Sequence, residues 1–123
     1  MIRTAFDVLL AAAVMGAVLG VLYLRGAAAS RPHPALAPAH GVVGLAGFAL
    51  LVAALRHGLP ASDTGTSGFG AIAAACFAVA LGFGLLIAWM AWRRGRPAGL
   101  AVAIHASLAI GGLVVLLALI ALA

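Results

Sequence analysis

Long apolar runs separated by short polar breaks set the pattern of this chain. Four runs stand out, at roughly 5–24, 36–56, 69–92 and 98–122. Each is about twenty residues or more, enough at about 1.5 Å per residue to cross a hydrocarbon layer of about 30 Å. Lipid offers no water to an unpaired backbone group, so each run must be helical. The breaks agree with this. RGAAASRPHP (25–34) holds two prolines and two arginines, and HGLPASDTGTSG (57–68) is rich in Gly, Ser and Thr. RRGRP (93–97) is a tight basic turn whose Pro97 suits the opening of a helix. The expected fold is an all-α membrane protein: one integral domain over 1–123, folded as an up-down bundle of four transmembrane helices.

Composition strengthens this picture. Hydrophobic residues make up 67% of the chain and charged ones 7%, against about a quarter charged in a soluble domain. Such a chain cannot cover a water-facing surface, and the lipid bilayer is its first partner. The net charge of +5 does not point to nucleic acid, because there are no lysines and the arginines fall in the short breaks. They report topology instead. The first and third breaks carry Arg25, Arg31, Arg93, Arg94 and Arg96, whereas the N-terminus and second break carry Arg3 and Arg56. Basic residues stay cytoplasmic, so both termini are expected on the non-cytoplasmic side of a bacterial-type inner membrane. Tyr23, Trp89 and Trp92 lie at the same basic ends, where interfacial aromatic residues belong. One alternative stays open, a signal peptide cut after Ala29 that would leave three spans. Its apolar stretch is long for that role, and Asp7 interrupts its leading region.

Small residues at four-residue spacing, Ala12, Gly16 and Gly20 in the first span and Ala74, Ala78 and Gly82 in the third, predict close helix contacts. They leave open a homo-oligomer through the first span. The single cysteine, Cys76, allows no intrachain disulfide.

The candidate chemistry lies in two histidines. The second and fourth runs share a pattern: His40, Gly44, Gly47 and Leu51 against His105, Ala109, Gly112 and Leu116, 65 residues apart. Steps of four and seven return to one helical face, so each histidine heads a strip with almost no side chain. Duplication of a helix pair is one origin of such a pattern. Both helices begin at the basic face, which puts the two imidazoles at similar depth. The expectation is that helices two and four are neighbours and that the rings face each other across a gap lined by Gly44, Gly47, Ala109 and Gly112. A haem needs such room and neutral imidazole ligands, and Arg31, Arg93, Arg94 and Arg96 stand near enough in sequence to neutralise its propionates.

In this layout the chain resembles the b-type cytochromes of membranes, loosely the cytochrome b561 type, in which histidines on separate helices ligate haem. The resemblance implies haem b held by His40 and His105 as iron ligands. It also implies electron transfer. The chain departs from that family in number, since such proteins usually hold two haems on four histidines. Here His33 lies in a break and His57 at the far end of the second run, so one haem at most is implied.

Two other classes remain: a cofactor-free structural or assembly subunit of a larger membrane complex, and a small oligomeric transporter or channel. The chain has no Glu, and its acids are Asp7 and Asp63, at or beyond span ends. It therefore lacks the embedded carboxylate on which small four-helix multidrug transporters rely. No phosphate loop, Ser-His-Asp grouping or Cys/His cluster is present, so catalysis by protein groups alone is not expected.

Overall fold

The computed structural model describes residues 1–26, 35–57, 67–95 and 97–122. Four helices follow in order: α1 (Ile2–Leu24), α2 (Leu36–Arg56), α3 (Ser67–Arg94) and α4 (Gly99–Leu122). All four are long and apolar enough to span a membrane. The chain is an integral membrane four-helix bundle, as its apolar pattern requires.

The helix boundaries have local causes. α2 tolerates Pro38 because it falls in the first turn, where backbone N–H groups have no partner within the helix. α1 and α3 end alike, each followed by a glycine in the left-handed region, Gly26 at φ 71° and Gly95 at φ 77°. A Cβ disfavours that conformation, so glycine is the usual residue there. Pro97 lies two residues ahead of α4 and does not open it. α3 has 28 residues, four more than the apolar run suggested, because Ser67, Gly68, Arg93 and Arg94 join the helix. At about 1.5 Å per residue it reaches about 42 Å, long enough to carry its last arginines out of the hydrocarbon.

The helices pack most intimately within two hairpins, α1 on α2 and α3 on α4. The hairpins meet through α1 against α4 and α2 against α3, which leaves α2 and α4 diagonally opposed. The expectation that helices two and four are neighbours is therefore corrected.

The two hairpins are equivalent in detail. Residues 68 apart match on α1 and α3, and residues 65 apart on α2 and α4. Ala5 and Ala73 are both fully buried, as are Leu51 and Leu116. A Cβ on Gly47 would meet the Leu9 side chain at 2.8 Å, and one on Gly112 would meet Phe77 at 3.1 Å. Leu9 and Phe77 are themselves 68 apart. The 65-residue repeat in the sequence is thus a repeat of packing.

The core sits in one half of the bundle. Ala5, Leu9, Leu51, Ala73, Phe77, Leu116 and Leu119 form one buried cluster, toward the ends of the helices away from the arginine-bearing turns. From the level of the histidines to the basic face, the buried hydrophobic residues among the described ones are alanines: Ala12, Ala80, Ala91 and Ala101. Lipid-side contacts differ from the sequence expectation on α3, where Ala78 and Gly82 are exposed and Ala73, Phe77 and Ala80 face inward. Gly20 likewise has nothing within reach of a Cβ.

Candidate functional site

The site is built from one imidazole per hairpin. His40 is the fifth residue of α2, and its Nδ1 lies 2.8 Å from the carbonyl oxygen of Ala12 on α1. His105 is the seventh residue of α4, and its Nδ1 lies 2.8 Å from the carbonyl oxygen of Ala80 on α3. A carbonyl only accepts, so in both cases Nδ1 carries the proton and donates it. In the neutral ring Nε2 is then a bare lone pair. Among the described residues neither Nε2 has a hydrogen-bond partner.

The rings meet at the centre of the bundle. Their centroids are 5.8 Å apart, and their planes cross at 79°. Both are half-buried. The helix turns they lean on carry almost no side chain. A Cβ on Gly16 would stand 2.9 Å from Cε1 of His40, and one on Gly84 would stand 3.4 Å from Cε1 of His105. Gly16 and Gly84 each lie four residues after the carbonyl that accepts the bond, so each ring spans one turn of the facing helix. The small-residue spacing of α1 shows Ala12 and Gly16 in the sequence, although it does not reveal their tie to His40. Ala80 and Gly84 show the same spacing on α3, on a different face from the expected strip of Ala74, Ala78 and Gly82, in which Ala78 and Gly82 are exposed.

The expected lining of the site is corrected. A Cβ on Gly44 would lie 3.9 Å from the Ala12 methyl, one on Gly47 would meet Leu9, and one on Gly112 would meet Phe77 and Cys76. The three glycines form a seam within each hairpin and do not border a gap between α2 and α4, and Ala109 is half-buried on α4. Close approach of two helices is what removes the side chains there.

Of the arginines, Arg93 and Arg94 are exposed at the end of α3, and the Arg93 guanidinium lies 5.7 Å from the ring centroid of Trp89. Arg31 and Arg96 lie outside the described residues, as do His33 and Asp63. Tyr23 donates from its hydroxyl to the Pro97 carbonyl at 3.5 Å, tying the end of α1 to the turn before α4. The exposed Trp89 and Trp92 suit an interface. His57 is exposed at the opposite end of α2 and takes no part.

Among the described residues no three His, Cys, Asp or Glu side chains cluster as a metal site would need. Two imidazoles alone fall short of the three or four protein ligands typical of zinc. No protein-family model, curated protein or solved structure matches the chain. The function must be argued from this site.

Proposed function

We propose that the protein binds a single haem b between His40 and His105 and serves as an electron-transfer or accessory subunit of an energy-transducing membrane. One observation carries the reading. Two imidazoles from diagonal helices meet at the bundle centre, each with Nδ1 committed to a helix carbonyl. Metal-binding histidines commonly donate their second ring N–H in this way, which sets the tautomer and raises ligand basicity. Two metal–imidazole bonds of about 2 Å each, with the distance from each nitrogen to its ring centre, span about 6 Å. The centroid separation of 5.8 Å is close to that.

Two further features support it. The buried interior changes from leucine and phenylalanine to alanine at the histidine level, so among the described residues no large, fully buried side chain competes for the half of the bundle near the basic face. The exposed Arg93 and Arg94 give that face positive charge suited to propionates. When bound, haem supplies a one-electron couple whose potential depends on its axial ligands and burial. The chain supplies the ligands, holds their protons on Nδ1, and surrounds them with apolar walls. The charge asymmetry of the breaks supports an inner-membrane location with the basic turns cytoplasmic.

The cofactor-free reading rests on the same bonds, taken as interhelical ties that satisfy two polar rings in lipid. A visible absorption spectrum separates the two. Protein purified from haem-supplied cells should show a sharp Soret band and, after dithionite, the α-band of six-coordinate low-spin iron. A colourless preparation would leave the structural role.

A further inference from the structure

The two glycines that face the imidazoles have a task that helix packing alone does not explain. In each hairpin the ring is gripped twice, by a carbonyl at one position and by an absent Cβ four residues later. Ala12 and Gly16 hold His40, and Ala80 and Gly84 hold His105. At Gly16 the space is already tight. A methyl group there would lie 2.9 Å from Cε1, 3.4 Å from Nδ1 and 3.6 Å from Nε2 of His40. Real Cβ contacts do not come that close, so the ring would have to turn away. Turning moves Nδ1 off the Ala12 oxygen and re-aims Nε2. At Gly84 the nearest approach is 3.4 Å, at the edge of ordinary contact, so His105 would need to give little or nothing. By contrast Gly44, one turn further along α2, meets only the Ala12 methyl at 3.9 Å, an ordinary contact.

We propose that Gly16 is a positioning residue that, with the Ala12 carbonyl, sets the plane of the His40 imidazole against that of His105, the two crossing at 79°, and that Gly84 is its looser counterpart on α3. This rests on the bis-histidine haem reading for its purpose, but the grip on each ring exists before any ligand arrives. Each glycine acts through its histidine and touches no ligand itself. The repeat of packing explains why the glycine recurs at matching places in the two hairpins.

Low-spin ferric haem reports the angle between its axial imidazole planes in its EPR spectrum, because crossed planes give a highly anisotropic, large-gmax signal and parallel planes a rhombic one. The experiment uses the full chain, both haem-loaded and as apoprotein, with Gly16→Ala, Gly84→Ala and the control Gly44→Ala. The loaded wild type should give the large-gmax signal. Gly16→Ala should lose it, Gly84→Ala should shift it less, and Gly44→Ala should leave it in place. In the apoprotein, ¹⁵N NMR of the imidazoles should show Nδ1–H in the wild type. Gly16→Ala should lose that signature for His40 while His105 retains it. If Gly16→Ala does not fold, adding His40→Ala should restore folding, because the clash is with that ring, and failure to restore it overturns the proposal. Unchanged EPR anisotropy and unchanged tautomers in the glycine variants would overturn the proposal. A wild type that takes up no haem sinks the haem reading instead, and the apoprotein tautomers still decide whether the glycines position the rings.

Discussion

The rings of His40 and His105 stand 5.8 Å apart and nearly perpendicular, although α2 and α4, which carry them, lie on a diagonal of the bundle. Neither helix holds its own histidine in place. Each ring is anchored by the other helix of its hairpin, through a 2.8 Å bond to Ala12 or Ala80. The site is therefore a joint product of two equivalent hairpins, and its integrity depends on all four helices.

Ligand loss is the first expectation. Under the proposed haem site, His105→Ala and His40→Ala should each abolish six-coordinate haem, seen as loss of the reduced α-band. His57→Ala should leave the spectrum unchanged, since His57 lies exposed at the other end of α2. Retention of a six-coordinate spectrum in either ligand variant would remove the two-histidine site.

The bonds to the helix carbonyls also contribute without haem. Replacing either ring with leucine in the apoprotein should cost about 0.6 kcal/mol and at most about 1.7 kcal/mol, the span measured for interhelical hydrogen bonds in a membrane protein. Reversible unfolding in mixed micelles measures it. A loss several times larger would mean that the rings do more than tie two helices.

Packing within the hairpins yields a paired test. Gly47→Leu should destabilise by about 1–3 kcal/mol through overpacking, because its side chain would enter the space of Leu9. Leu9→Ala should recover part of that loss, so the double variant is more stable than the sum of the two changes predicts. Gly112→Leu with Phe77→Ala should behave the same way, as the repeat requires. Strict additivity in both cycles would contradict these contacts.

Orientation can be read from reporter fusions. A reporter after residue 123 should be active only where a periplasm-dependent assay detects it. Transferring Arg93, Arg94 and Arg96 to the second break should weaken that preference. A C-terminal reporter active only in the cytoplasm would reject the arginine count.

Loss of α1 should be severe for the site. A chain starting at Ser30 lacks both the Ala12 carbonyl and Gly16. Haem retention should fall to background even though both histidines remain. A truncated form that kept the wild-type spectrum would show that His40 does not need α1.

By itself the sequence determined the class of this protein. Apolar runs long enough to cross a bilayer must close their own backbone bonds, so four helices follow from hydropathy alone, and α2 spans the residues expected, Leu36–Arg56. His40 and His105 were legible because an ionisable group among such residues is rare, and their common depth followed from counting along two helices that start at one face. Which residues touch those rings was decided only by tertiary structure. A strip of small residues marks where a helix can approach something but not what approaches it. Gly44, Gly47 and Gly112 therefore look like the walls of a cavity in the sequence, while in the fold they take α1 and α3. Gly16, Gly84 and the carbonyls of Ala12 and Ala80 were silent as partners, because a backbone oxygen has no sequence signature. They became a site when two hairpins, packed in the same way, brought one ring each to the bundle axis.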